Sequence, residues 1–283
     1  MDYTYFDAHA HIHDKKYDED RDSFLKSLAE KKIGVITVGT DLCESKKAVE
    51  LSEKYPFVFV TIGVHPADDI SATFDEVEFE KLVQSPKCVG VGECGLDYFF
   101  LKEQKRKGEI ENIDREIDRQ RDLFCQQIEF AVKHDLPLMI HGRPSKKDDI
   151  DNPTGMDAYE DIVFLLKKYK EKYGEKLRGN MHFFVGNKKI AEECLALGFT
   201  FSLGGVLTIT DDYHEMVRSL PLSSILTETD SPYVAPKPVR GRRNSPEYLS
   251  FIVEKIAEIK GVSLEEVRTV SLDNCARVFL QKH

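Results

Sequence analysis

Short apolar or β-prone runs recur along the chain, separated by stretches in which apolar residues return at helical spacing. The runs are Tyr3 to Phe6, Gly34 to Val38, Val58 to Ile62, Cys88 to Val91, Leu138 to Ile140, Gly179 to Phe183, Thr200 to Leu203 and Ser224 to Thr227. Between them, sets such as Phe24, Leu25 and Leu28, or Phe124, Ile128, Ala131 and Val132, would lie on one buried helical face. Eight strand-then-helix units favour an α/β (β/α)8 TIM barrel. An open doubly wound sheet would carry a Gly-rich first turn for a nucleotide, whereas the first strand here leads into His9-Ala10-His11. No nucleotide cofactor is expected.

Two segments break the spacing: Phe99 to Asp118, with mixed charges, and Pro144 to Asp157, with Pro153 and Gly155. Both follow strands that end in potential ligands, so these loops are expected to shape substrate entry. Ser245 to Leu280 reads as two scaffold helices split by Lys260-Gly261-Val262-Ser263, with Ser263 and Glu266 in a capping-box pattern. A single domain spanning residues 1–283 suits the length and the 41% hydrophobic content.

No apolar stretch approaches the roughly 18 residues of a membrane span, and the amino terminus lacks the basic-then-apolar start of a signal peptide. The expectation is a soluble intracellular protein, cytoplasmic, without a membrane partner. The six cysteines form no CxxC pair, which indicates reduced thiols, and Cys94 reads as packing. A net charge of −10 argues against a broad nucleic-acid surface. Any such contact falls to local patches, chiefly Lys237-Pro238-Val239-Arg240-Gly241-Arg242-Arg243, with four cations and no acid.

At or just beyond the strand ends stand His9, His11, Glu93, His141, His182 and Asp230. A parallel barrel gathers those ends around one mouth, so ligands spread over most of the chain can converge there. His9 and His11 project to the same side of an extended chain and suit one cation, with His13 beyond the strand. Imidazole and carboxylate donors without thiolates leave zinc, magnesium and manganese open. Glu93, between Gly92 and Cys94-Gly95, suits a carboxylate bridging two cations. Asp230 suits a ligand that also handles the proton of an attacking water.

These segments resemble the TatD-like metal-dependent deoxyribonucleases of the amidohydrolase superfamily over nearly the whole chain. The likeness rests on Asp7-Ala8-His9-Ala10-His11, Gly63-Val64-His65-Pro66, Gly92 to Tyr98, Pro137 to Arg143, His182 to Gly186 and Glu228-Thr229-Asp230-Ser231-Pro232-Tyr233 in that order. Asn244-Ser245-Pro246 looks like the family's closing Asn-x-Pro. The Phe99 to Asp118 segment is longer than the family usually has.

The resemblance implies a two-metal barrel in which His9, His11 and Asp230 hold one ion, His141 and His182 the other, and Glu93 bridges. It implies hydrolysis of DNA phosphodiesters by a bridging hydroxide, often from a strand end, with single strands or strand ends as substrate. His65, Arg143, Arg240, Arg242 and Asn244 are the expected substrate contacts. Asp97 and Tyr98 are expected to orient the ligands through hydrogen bonds. The same chemistry would serve an amide or ester hydrolase, such as a D-aminoacyl-tRNA deacylase. A non-catalytic metal-binding interaction protein would predict missing ligands, and all six are present.

Overall fold

The computed structural model describes residues 2–146 and 157–281. Its strands are β1 (Tyr5–Ala10), β2 (Ile33–Val38), β3 (Val58–Ile62), β4 (Cys88–Asp97), β5 (Leu138–Arg143), β6 (Gly179–Met181), β7 (Thr200–Leu203) and β8 (Ile225–Thr227). They pair in parallel in sequence order from β1 to β8. Just beyond β8 a parallel bridge joins Ser231 to Ala10, and the His11 N–H donates to the Ser231 carbonyl at 2.7 Å. The result is a nearly closed (β/α)8 barrel.

The helices are α1 (Arg21–Glu30), α2 (Leu42–Lys54), α3 (Glu76–Leu82), α4 (Leu101–Lys107), α5 (Ile113–Lys133), α6 (Ala158–Tyr173), α7 (Lys188–Ala196), α8 (His214–Ser219), α9 (Leu249–Lys260) and α10 (Leu264–Phe279). Local chemistry sets their ends. Asp41, Asn112 and Ser263 accept backbone N–H bonds at the starts of α2, α5 and α10, and Gly261 closes α9 in the left-handed conformation. No helix among the described residues is long and apolar enough to cross a membrane.

Apolar side chains divide into two buried clusters. The larger lies between barrel and helices and includes Val35, Val60, Leu138, Ile140 and Phe124. The smaller joins Phe6, Ala8, Ile36, Val38, Phe59, Val89, Met139 and Leu226 to Cys275, Val278 and Phe279 of α10. Thus α10 packs under the interior residues of the strands, leaving the C-terminal mouth for polar groups. Cys94 is fully buried with its thiol against the Met139 carbonyl, so it packs as expected.

Ladder pairing carries three strands past their expected ends. β1 runs to Ala10, β4 to Asp97 and β5 to Arg143, so His9, Glu93 and His141 lie within strands. Registers shift between Asp7 and Ala10 and between Val91 and Cys94, next to His9 and Glu93. Such irregularities re-aim side chains. Beyond Glu93 the strand continues because Gly95 has no Cβ. One built there, at φ 135°, would lie 2.0 Å from the His141 carbonyl oxygen. Gly95→Ala should therefore cost about 1–3 kcal/mol or more of stability in urea unfolding. An unchanged midpoint would show that β4 and β5 can separate at no cost.

The Phe99 to Asp118 segment, expected as a loop, contains α4 and the first turn of α5. Its mixed charges pair along the helix, as in Lys107 with Glu103 at 2.9 Å, so they are the solvated face of an ordered element. Of Pro144 to Asp157, residues 147–156 lie outside the described residues. Asp157 caps α6 and also accepts from the Ser145 N–H at 2.9 Å.

Candidate metal centre

The six expected ligands meet at the C-terminal mouth, where all except the fully buried His9 line a cavity of about 650 Å³. His9 Nε2 lies 3.2 Å from His11 Nε2, 3.5 Å from Glu93 Oε2 and 3.6 Å from Asp230 Oδ1. His11 Nε2 lies 3.6 Å from the same Glu93 oxygen and 3.4 Å from the same Asp230 oxygen. His9, His11 and Glu93 thus present three donor atoms close enough together to hold one ion, with Asp230 Oδ1 beside both histidines.

The donors' hydrogen bonds leave lone pairs turned toward that space. His11 Nδ1 is 2.9 Å from the Val38 carbonyl, a group that can only accept, so Nδ1 carries a proton and Nε2 is free to offer its lone pair. It offers it toward other lone pairs. Such a group of acceptors needs a cation or shared protons at its centre.

Glu93's other oxygen faces a second set. Oε1 is 2.9 Å from His182 Nε2 and 3.0 Å from His141 Nδ1, and those two nitrogens are 3.3 Å apart. One carboxylate therefore turns one oxygen to each histidine pair. Burial by itself would raise the Glu93 pKa, but His182, His9 and His141 together hold it well below the usual carboxylate range. Burial likewise opposes charge on His11 and His141, yet Asp230 and Glu93 on one, and Asp97 and Glu93 on the other, lift each to about 9. His9 moves the opposite way, through burial and the neighbouring charge of His182. Without a cation the cluster is held together by protons, and a metal would displace them.

Surrounding contacts fix the rings. Asp97 Oδ2 lies 3.0 Å from His141 Nε2, while its Oδ1 accepts from the Phe99 N–H at 2.9 Å. Gln120 of α5 clasps the Asp97 peptide from both sides, and Gln127 does the same for Val64, beside His65. His65 Nδ1 faces the Ala67 and Asp68 N–H groups at 3.2 and 3.1 Å and the Asp68 carboxylate at 3.0 Å, which turns Nε2 into the cavity, 3.7 Å from Glu93 Oε1. Arg143 lines the cavity with its guanidinium carbon 3.9 Å above the Phe99 ring. It makes no ion pair among the described residues.

Other expected contacts fall elsewhere. Tyr98 follows Asp97 on the opposite face of the chain and bonds Asp161 Oδ2 at 2.5 Å, so it braces β4 against α6 and does not orient a ligand. Asn244 is fully buried and donates to the Thr229 and Tyr233 carbonyls at 2.7 and 2.6 Å, so it shapes the segment after β8 and cannot reach a substrate. Arg240 and Arg242 are exposed outside the cavity lining. Arg243 is committed to a two-pronged pair with Asp20.

The structure adds Glu228, which sequence reasoning left unused. It is fully buried, with Oε1 accepting from the Phe183 N–H at 2.6 Å and lying 3.7 Å from His182 Nδ1. Its position two residues before Asp230 was the available signal, because alternate strand residues share a side. Glu228→Gln keeps the shape and removes the charge behind His182. Metal affinity measured by chelator competition should fall about 10- to 100-fold with the fold intact. Unchanged affinity would reduce Glu228 to a backbone brace.

A parallel barrel with clustered histidines and carboxylates at its C-terminal mouth defines the class of metal-dependent hydrolases. The family model described as TatD related DNase matches residues 6–280, and the chain belongs to that family. It is 35% identical over 278 residues to a Bacillus subtilis (strain 168) protein described as the uncharacterized metal-dependent hydrolase YabD, covering 97% of this chain and 98% of that one. It is 28% identical to the mouse (Mus musculus) putative deoxyribonuclease TATDN3, covering 96% of this chain and 87% of that one. The crystal structure of YJJV, a TatD homolog from Escherichia coli K12, superposes with a TM-score of 0.81 at 23% identity and 99% coverage of both chains.

Proposed function

We propose that this metal-dependent hydrolase is a deoxyribonuclease acting at the ends of single strands, with two divalent cations. His9, His11 and Asp230 would hold one, His141 and His182 the other, and Glu93 would bridge. The observation that carries the reading is the division of Glu93, with Oε2 toward His9 and His11 and Oε1 toward His141 and His182. Cations there would lower the pKa of a water and offset charge on a phosphoryl group. Imidazole and carboxylate donors without thiolates suit zinc, manganese and magnesium alike, and activity with each metal tells them apart.

The chain's own groups supply the remaining roles. Asp230 Oδ2 carries no hydrogen bond among the described residues and is the proton acceptor. His65, through Nε2, is a donor for a phosphoryl or leaving oxygen, and Arg143 is a planar cation for a neighbouring phosphate. The mouse relative's name supports DNA as the class of substrate.

The deciding experiment incubates metal-reconstituted protein with linear and circular single-stranded DNA, duplex DNA, RNA and an aminoacyl ester. Cutting of the linear single strand with sparing of the circle is the expected result. Efficient cutting of circles would overturn the end-acting part. Turnover of the aminoacyl ester alone would replace the nuclease reading with that of an ester hydrolase.

A further inference from the structure

Among the described residues the large exposed apolar side chains are Val77, Phe100, Phe164, Tyr233, Val234 and Leu264. Three of these six, Phe100 at 39% exposure, Tyr233 at 42% and Val234 at 40%, line the cavity that holds the ligand cluster. Scattered exposed apolar residues need no explanation, but half of them around one opening marks a surface built to be covered. Their placement is equally specific. Phe100 follows β4, whereas Tyr233 and Val234 follow β8. Four steps apart in an eight-stranded ring, those strands set the two aromatic groups on opposite sides of the mouth.

Each aromatic group has cations beside it. Arg143 and Lys146 both lie 5.1 Å from the Phe100 centroid, and Lys16 Nζ sits 4.1 Å from the Tyr233 centroid. Aromatic rings that remain open to solvent next to fixed cations match the two halves of an unpaired nucleotide, whose base stacks while its phosphate is neutralised. A duplex offers neither half in this form, because its bases already stack on one another. An aliphatic acyl group would gain burial from the rings but nothing from the cations.

We propose that Phe100 and Tyr233 are specificity-determining stacking platforms, placed across the mouth from each other to receive unpaired bases on either side of the scissile phosphate. This deepens the deoxyribonuclease reading and rests on it. The strand preference then comes from the walls of the mouth, and the ligand cluster stays indifferent to base identity. Because stacking on a side chain tolerates every base, little sequence preference should accompany it.

The test compares Phe100→Ala, Tyr233→Ala and Tyr233→Phe on two single-stranded oligomers of equal length, one bearing bases and one a base-free sugar-phosphate chain. Hydrolysis is measured in the otherwise wild-type protein, and binding by fluorescence anisotropy in the Glu93→Gln background. Each alanine variant should lose roughly 5- to 150-fold in affinity and in kcat/KM on the base-bearing strand, mainly through KM, with no further loss on the base-free strand. Tyr233→Phe, which keeps the ring, should stay near wild type. Equal losses on both oligomers, or no loss on the base-bearing one, would overturn the platforms while leaving the nuclease reading intact. A wild-type protein that binds and cuts neither oligomer would overturn the nuclease reading, and the platforms with it.

Discussion

Glu93→Gln should fold like the wild type and lose hydrolysis by about a thousandfold or more. The substitution changes no volume, and the ladder is untouched, since the Glu93 N–H still reaches the Gly39 carbonyl at 2.9 Å. What changes is the charge at the centre of four histidines. An amide nitrogen replaces one oxygen, so either the His9 and His11 side or the His141 and His182 side would face N–H groups instead of a lone pair. Metal content measured by atomic emission should fall, with an unfolding midpoint close to wild type. A purified variant that kept wild-type rates, with contaminating nuclease excluded, would remove Glu93 from the centre of the site.

That residue was legible in the sequence because strand-end chemistry is local. All eight strands begin near apolar or β-branched runs, and the bounds of β3 and β7 coincide with the expected ones. β2 and β8 start one residue from the expected position, and β6 stops at Met181, short of the expected Phe183, which turns to a positive φ of 45°; where β1, β4 and β5 run past their expected ends, the cause is the site itself. Propensity ends at the first polar residue, yet inside a barrel the ladder continues through His9, Glu93 and His141, because the first two are buried, the third is half-buried, and all partner one another in one polar cluster. The six ligands could be chosen before their strands were correctly bounded, since convergence needs only the order of the strands.

What was not legible depends on contacts distant in sequence. Tyr98 stands beside Asp97, and only the packing of α6 shows that its hydroxyl turns to Asp161. Asn244 lies in a polar, basic neighbourhood that reads as substrate-facing, but its three carbonyl partners fix the turn after β8. The charges of α4 hid a helix, since they sit on a solvated face with little apolar periodicity. In each case a polar side chain had two plausible uses, and tertiary partners selected the structural one.

Asp230→Asn should lower kcat by about 10²- to 10⁴-fold, the usual contribution of a positioned proton acceptor, with a smaller loss of metal than Glu93→Gln. The backbone accepts the change, because Asp230 sits at φ 56°, a left-handed conformation that Asn adopts as readily as Asp. Its N–H bond to the His9 carbonyl, at 2.9 Å, is also retained. The side chain differs from Glu93 in that its contacts, through Oδ1, are with His9 and His11, on one side of the site. Burial would raise the Asp230 pKa, but the hydrogen bond to His11 and the charges of His9 and His11 keep it below the usual value, so the wild-type group is ionised and able to accept a proton. An amide oxygen can still approach a cation but does not take up a proton near neutral pH. The separation between the two roles therefore appears in the kinetics. A fall in kcat at constant KM and near-constant metal content identifies the proton acceptor, whereas a fall that excess metal restores identifies a ligand alone.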